Sequence, residues 1–288
     1  MDIHIRSMRQ EDVEICGLIC YQAFKNSAEC HNFRPDQPSL EFSIQLAQSC
    51  FANPQIFSIV AESDGKIIGS NYLSEYDIVR AVGPLAIDPN VQSEGAGREL
   101  MKAVIKRAIH SKSIRLVQNA FNLASLSLYA SLGFNVKEPL VMLEGNVRGD
   151  IPSNIEIRPL QNKDFAQCAE LCRRVYGIER TGELKNTPPF LTSFVAVNDD
   201  RISAYTSAPH FWALNHAVAE SQKDMQALLA GVGNMSGDRP ISFLLPTRQS
   251  DLFRWCLAQG MRAIKPATLM AMGEYQEPQG CYLPSVLY

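Results

Sequence analysis

Residues 85–98 carry the arrangement most suited to chemistry in this chain. The stretch Leu85-Ala-Ile-Asp-Pro-Asn-Val-Gln-Ser-Glu-Gly-Ala-Gly-Arg98 ends an apolar run and precedes an amphipathic helical pattern. The first-turn amides of a helix have no intrahelical acceptor and lie at the positive end of its dipole, so they bind anions, phosphate above all. Glycines at positions 95 and 97 let the backbone approach such an anion without obstruction by a Cβ atom. The order strand, glycine loop, helix therefore predicts a phosphate-binding turn.

Two well-known phosphate loops do not fit this stretch. The chain has no GxxxxGK[ST] segment, and Gly95-Ala-Gly-Arg-Glu-Leu100 lacks the third glycine of the dinucleotide fingerprint. ATP and NAD sites are therefore not favoured. A simple tight connection is the alternative explanation of an isolated Gly-x-Gly turn. In the apolar run before it, Gly83-Pro84 indicates a strand that is bent or bulged.

A second segment of interest lies downstream. Asn122-Leu-Ala-Ser-Leu-Ser-Leu-Tyr-Ala-Ser-Leu-Gly-Phe134 predicts a short helix that ends at a glycine, followed by a strand from Val136 to Leu143. Together with Gln92-x-x-Gly-x-Gly97, this segment resembles two motifs of the GCN5-related N-acetyltransferase (GNAT) superfamily, in the same order. Without that resemblance, Tyr129 would be read as a half-buried packing residue.

The resemblance implies a donor, a reaction and a set of site residues. In that superfamily an amine attacks the thioester of acetyl-CoA directly, so acetyl-CoA is the expected acyl donor and no metal is expected. The amide of Leu85 would stabilise the oxyanion, and Tyr129 would be the general acid. The residues expected to contact acetyl-CoA are Leu85, Ala86, Ile87, Gln92, Ser93, Glu94, Gly95, Ala96, Gly97, Arg98, Asn122 and Tyr129.

The general base is open to more than one assignment. Glu75 is our choice, and Asp77 lies in the same loop between the third and fourth predicted strands. An exposed loop carboxylate with no catalytic role is the alternative for either acid. His31 has the ionisation range of a base and follows the first predicted helix. An amine that arrives without its proton would need no base.

Three segments recur in the same order in the two halves of the chain. The run Ile3–Cys20 recurs as 155–172, with isoleucines, an arginine, an aspartate and two cysteines in register. A strand pair with its turn at 63–65 recurs around 198–200, and Leu132-Gly-Phe recurs as Gln259-Gly-Met. We therefore predict a duplicated α/β unit.

The predicted domains are a catalytic GNAT domain over residues 1–148 and a degenerate copy over residues 152–288. The expected fold class is α/β (α+β), with two tandem acyl-CoA N-acyltransferase-like domains, each a mixed, mostly antiparallel sheet flanked by helices. The second copy has no Gly-x-Gly in residues 212–225, and Cys256 stands in the place of Tyr129. It is expected to support the fold or the substrate cleft without an acetyl-CoA site of its own.

Composition argues against several other classes of protein. The 288 residues carry a net charge of -3 and show no basic cluster, so neither nucleic acid nor an anionic membrane is an expected partner. The chain shows no signal-peptide pattern and no apolar run of membrane-spanning length, which predicts a cytoplasmic protein. Eight cysteines without a CxxC pair predict reduced thiols rather than a metal site.

These features predict an N-acetyltransferase that transfers acetyl from acetyl-CoA to a primary amine of a small-molecule acceptor. Two alternatives stay open. One is a non-catalytic acyl-CoA sensor or partner protein that keeps the loop but has no turnover. The other is an enzyme of the same class that uses a longer acyl group.

Overall fold

The computed structural model of this protein describes residues 2–187 and 191–287. The chain forms two compact units, and each unit includes short segments from the other half of the sequence. The first comprises Met1–Leu116, Phe121–Asn135 and Ala271–Gly273; the second comprises Val117–Ala120, Val136–Met270 and Glu274–Tyr288. The division of the chain into domains at 148 and 152 stays a prediction.

The first half of the chain contains both strands and helices. In order they are β1 (His4–Ser7), α1 (Val13–Glu29), α2 (Leu40–Ala52), β2 (Ile56–Ser63), β3 (Lys66–Ser74), β4 (Val79–Val82), β5 (Ala86–Ile87), α3 (Ala96–Arg107), β6 (Ser113–Asn119), α4 (Leu123–Ser131) and β7 (Asn135–Gly145).

The second half repeats the pattern with local changes. Its elements are β8 (Ile155–Pro159), α5 (Phe165–Tyr176), α6 (Thr181–Lys185), β9 (Phe194–Asn198), β10 (Arg201–Thr206), β11 (Ala217–Ala219), α7 (Gln222–Met235), β12 (Ile241–Pro246), α8 (Ser250–Ala258), β13 (Arg262–Gly273) and β14 (Cys281–Leu283).

In the first unit, helices cover a mixed sheet. The strands are hydrogen-bonded in the order β1-β2-β3-β4-β6, and β5 also pairs with β3. All neighbours are antiparallel except β4 and β6, which are parallel. Helix α3 buries Leu100, Met101 and Val104 completely, which makes these three residues part of the core. The mixed, mostly antiparallel sheet confirms the predicted fold class.

An extra residue interrupts the pairing of β3 with β4 and β5. Leu73 lies opposite Val82 and Ser70 lies opposite Ala86, so two residues of β3 face the three residues 83–85. This is a β-bulge, which bends the strand and leaves one residue out of the ladder. The bend predicted at Gly83-Pro84 is confirmed.

The second unit contains an antiparallel sheet in the order β8-β9-β10-β11-β14. Strands β13, β7 and β12 follow one another in a further run, in which β7 and β12 are antiparallel. The core of this unit lies around α7, where Met225, Leu228 and Leu229 are completely buried.

An ion pair with the same geometry occurs near the start of each half. Arg6 donates two hydrogen bonds to Asp12, at 2.6 and 2.9 Å, and Arg158 donates two to Asp164, at 2.7 and 2.9 Å. The backbone N–H three residues before each aspartate donates to the same carboxylate, at 2.7 and 2.8 Å. Each aspartate is the N-cap residue of the helix that follows, but its carboxylate bonds back to the short turn and not to a helix amide.

We expect Asp12→Asn and Asp164→Asn each to lower the free energy of unfolding at pH 7 by about 1–3 kcal/mol, because an amide cannot replace the charged acceptor. The arginine hydrogen bond holds the pKa of each carboxyl below its usual value. The stabilisation is therefore present above the unfolded pKa of about 3.9 and is lost as the pH falls through the folded pKa.

Urea unfolding at a series of pH values measures this effect. The matched control is Asp251→Asn, which removes an exposed ion pair whose aspartate side chain is 73% exposed. It should cost less than about 1 kcal/mol. Losses of equal size in the three variants would show that the repeated pair has no special role.

Candidate functional site

Helix α3 begins at Ala96, between the two glycines of the loop, and its start has no side-chain cap. Its N-cap residue, Gly95, has a φ of 101°, which is the left-handed conformation that favours glycine, and makes no side-chain cap hydrogen bond. Residues 92–95 are exposed, and Ser93 also has a positive φ, of 70°. Within the described residues, the amides of residues 92–97 donate to no backbone acceptor, whereas the amide of Arg98 donates to the carbonyl of Gly95 at 3.0 Å. The free amides lie at the positive end of α3 and can bind an anion.

Gly97 is the point where three predicted site segments meet. A Cβ atom at this position would lie 3.5 Å from Leu128 Cδ2, 3.7 Å from Ile87 Cγ1 and 3.9 Å from Leu85 Cδ2. The start of α3, the strand after the bulge and helix α4 are thus in direct contact. The structure brings together segments that are far apart in the sequence.

Leu85 is the last residue of the bulge. On one side, the amide of Gly83 donates to the carbonyl of Tyr72 at 2.9 Å, and beyond β5 the amide of Asp88 donates to the carbonyl of Ile68 at 2.9 Å. Among residues 2–187 and 191–287, the amide of Leu85 donates to no protein acceptor. The bulge therefore presents one free backbone donor between paired ones, as an oxyanion site requires.

Side chains near the loop hold its shape. Gln92 donates from Nε2 to the carbonyl of Ile87 at 3.2 Å, across the turn between β5 and α3. Arg98 donates to Ser131 Oγ at 2.9 Å, which ties the start of α3 to the end of α4. The sequence predicted a role for the backbone of Gln92 and Arg98 but not these two side-chain tethers.

Helix α4 carries the two remaining residues of the predicted donor site. Asn122 is its N-cap residue, and its Oδ1 accepts the amide of Ser125 at 3.0 Å. Tyr129 is buried, with its ring edge towards Phe134 at 6.2 Å between centroids. Burial raises the pKa of Tyr129 to about 12, against a smaller effect of its hydrogen bond to Ser125. The phenol is therefore protonated at neutral pH, as a general acid must be.

Glu75 begins the loop after β3 and is held from several sides. Its carboxylate accepts two hydrogen bonds from Arg107, at 3.2 and 3.0 Å, and its amide donates to the carbonyl of Gln55 at 2.8 Å. Arg107 also lies over the ring of Phe57, at 5.2 Å. Glu75 is thus fixed at the far end of α3 by an ion pair that sequence analysis did not predict.

The other two candidates for the base lie in different surroundings. The carbonyl of Asp77 accepts a bond from Arg80 at 2.7 Å, which orders the same loop as Glu75. His31 is exposed, and its Nδ1 lies 2.8 Å from the carbonyl oxygen of Ser27.

An aromatic cluster next to Asn122 was not predicted. The ring of Phe121 stacks on Phe33 at 4.6 Å and lies 5.0 Å from the ring of His31. No local sequence pattern joins the loop after α1 to the segment before α4, so only the three-dimensional fold reveals this contact.

In the second half, the corresponding helix, α7, has a side-chain cap at its N-terminus. Ser221 is the N-cap of α7, and its Oγ accepts the amide of Asp224 at 3.2 Å. Glu220, just before it, is bonded by Arg174 and Arg201. One first-turn amide of α7 is therefore already hydrogen-bonded. The carboxylates of Glu220 and Asp224 lie near this helix end and would repel an anion.

The position aligned with Tyr129 is also changed. Cys256 is completely buried, and burial raises the pKa of its thiol to about 12, which makes it a poor nucleophile. Across the described parts of the chain, no group of three or more His, Cys, Asp or Glu side chains is placed to hold a metal ion. In the same residues, no helix is both long and apolar enough to cross a membrane.

A family model and several solved structures are similar to this chain. The acetyltransferase (GNAT) family model matches residues 18–134. No curated protein matches the chain.

Three solved structures share the fold over nearly the whole chain. A proposed acetyltransferase from Pyrococcus horikoshii is 15% identical with a TM-score of 0.73, over 99% of this chain and 94% of that one. A GCN5-related N-acetyltransferase from Sphaerobacter thermophilus is 15% identical with a TM-score of 0.63, over 96% of each chain. A tandem GNAT protein from the clavulanic acid biosynthesis pathway is 11% identical with a TM-score of 0.59, over 96% of this chain and 100% of that one.

The cap of α4 gives a test of local structure. We expect Asn122→Ala to lower the free energy of unfolding by about 1 kcal/mol, since the amide of Ser125 loses its acceptor. Asn122→Ser keeps a capping oxygen and should lose only a few tenths of that amount. Chemical unfolding measures both variants, and equal losses would contradict the capping role.

Proposed function

We propose that this chain is a tandem-domain member of the GCN5-related N-acetyltransferase superfamily and transfers acetyl from acetyl-CoA to a primary amine of a small-molecule acceptor. Acyl-CoA is the donor used by this family. The observation that carries the proposal is the meeting, at Gly97, of an uncapped helix end, the bulged strand and helix α4.

The donor would be held mainly by backbone groups. The amides of residues 92–97 would bind its pyrophosphate, since none of them donates to a backbone acceptor within the described residues and they lie at the positive end of α3. The strand residues Ala86 and Ile87 would pair with the pantetheine arm, and Asn122 would hold the arm from the start of α4. The tethers from Gln92 and Arg98 support this arrangement, because they fix the loop before any donor binds.

Two groups of the chain would act on the reacting atoms. The free amide of Leu85 would donate to the carbonyl oxygen of the thioester, where negative charge develops as the amine attacks. When the carbon–sulfur bond breaks, Tyr129 would give its proton to the departing sulfur. The resemblance of residues 122–134 to the family motif supports this role, and a phenol holds its proton at neutral pH.

We assign proton removal from the amine to Glu75 acting through water. Both of its oxygens accept bonds from Arg107, so direct transfer would compete with that ion pair. The Glu75 side chain is 19% exposed, which leaves it a route to solvent. The net charge of -3 favours a cationic amine as the acceptor over an acidic one.

The domain over residues 152–288 would have no acetyl-CoA site of its own. This is supported by the capping of α7 by Ser221 and by the burial of Cys256 in place of Tyr129. We therefore expect one donor site per chain.

Calorimetric titration with acetyl-CoA tests the site. The native protein should bind one equivalent, and Gly95→Glu should abolish binding, because its side chain fills the loop and brings a negative charge to the amides. The matched control is Gly65→Glu, since Gly65 also has a positive φ, of 71°, and a Cβ atom there would meet nothing within 4 Å. The Gln222→Glu protein, changed at the start of α7, should bind acetyl-CoA with native affinity.

If the Gly95→Glu protein bound acetyl-CoA normally, the acetyl-CoA site would not lie in the glycine loop. Two equivalents per chain would show that the second domain binds the donor too. No binding by the native protein would overturn the proposal as a whole.

Release of free CoA thiol, screened against a panel of primary amines, tests the reaction. With an amine that supports turnover, Tyr129→Phe should lower kcat by about 100-fold, since a general acid contributes on that scale. Its affinity for acetyl-CoA should change by less than about threefold, because the phenol acts on the departing sulfur and not on the pyrophosphate. Binding without thiol release with any amine would favour a non-catalytic acyl-CoA sensor.

A further inference from the structure

The second unit contains a cleft lined by none of the residues assigned above. It has a volume of about 240 Å³ and opens where the start of β9, the end of β10 and the end of α7 come together. Its walls include Leu191, Phe194, Pro209, His210, Met235 and Arg239. A space of this size accommodates a molecule of roughly ten non-hydrogen atoms rather than a cofactor.

The cleft contains one positively charged side chain, Arg239, and no negatively charged one among the described lining residues. Arg239 is exposed, and its guanidinium forms no ion pair or hydrogen bond within the described residues. The neighbouring carboxylate, Asp238, is directed to Arg148 at 3.4 Å. None of the described lining residues is acidic. In a chain with a net charge of -3, an arginine left free in a cleft is a ready partner for an anion.

His210 forms a fixed wall beside this arginine. Its Nδ1 lies 2.9 Å from the carbonyl oxygen of Pro240, so Nδ1 carries the hydrogen, and its Nε2 lies 3.0 Å from Ser236 Oγ. Burial lowers the pKa of His210, and the charge of Arg239 acts in the same direction. A lowered pKa favours the neutral imidazole, so Arg239 is the charged group of the described lining.

The rest of the lining is mixed. Apolar side chains come from Leu191, Phe194 and Met235, the last of which is 50% exposed at the end of α7, and polar ones come from Thr192 and Ser236. A large exposed methionine adapts its shape to an apolar ligand at little cost. The cleft thus combines one cation with a wall that is partly polar and partly apolar.

We propose that this cleft binds a small organic carboxylate with an apolar body, in the manner of an arylalkanoic acid. The carboxylate would bind Arg239 through two parallel hydrogen bonds, and the apolar body would lie against Phe194 and Met235. This site is independent of acetyl transfer, so its test does not depend on activity.

Phenylacetate is the probe for this site. The methyl NMR signal of Met235, assigned by its loss in Met235→Leu, should shift in a saturable way, with a dissociation constant in the millimolar range. Phenylacetamide has the same shape without the charge and should bind at least about tenfold more weakly. A signal that does not shift with phenylacetate, or equal binding of the two compounds, would overturn the proposal.

A pair of variants locates the carboxylate. Arg239→Gln should weaken phenylacetate binding about tenfold, because it removes the charged donor. Arg262→Gln, which changes another exposed arginine of the same unit, should leave it unchanged. Because both side chains are exposed, both variants should keep the native unfolding temperature. Equal affinities in the two variants would show that Arg239 does not hold the ligand.

Discussion

The extra residue between β4 and β5 is the constraint on which the rest of the candidate site depends. Strand β3 pairs on both sides of it, so the surplus residue leaves the ladder and frees the amide of Leu85. After the bulge, β5 packs closely against β3. A Cβ atom at Gly69 of β3 would lie 2.6 Å from Ile87 Cδ1 and 2.8 Å from the carbonyl oxygen of Ala86. Glycine at position 69 therefore lets β5 approach, and β5 in turn directs the chain into the loop and helix α3.

Helix α3 joins the two ends of this site. At its start, the left-handed Gly95 leaves the amides exposed, and at its end Arg107 holds Glu75. Between them, Leu100 and Met101 are completely buried, so the helix is anchored along its length. A displacement of the helix would move the anion-binding end and the carboxylate together, which makes the spacing between them a property of the core.

The two halves keep a scaffold and differ at its chemical positions. Both use a bidentate Arg–Asp pair at the first turn, and both end the helix before the last long strand at a glycine with positive φ, Gly133 and Gly260. The N-cap residues differ, however. The N-cap of helix α3 is Gly95, which has no side chain to cap it, whereas that of α7 is Ser221, whose hydroxyl caps the helix. A few side chains at helix ends are enough to keep or remove an anion site without altering the fold.

The sequence by itself predicted the order strand, glycine loop and helix, the short helix before Gly133, the bulge at Gly83-Pro84 and the recurrence of three segments in the two halves. These features are written in neighbouring residues, because periodicity and glycine placement act on the local backbone. Only the tertiary structure decided the ion pair of Glu75, the contact of Phe33 with Phe121 and the free arginine at 239. These features depend on which residues the packed core brings together from distant parts of the chain. A local sequence pattern does not show which distant residues will come into contact.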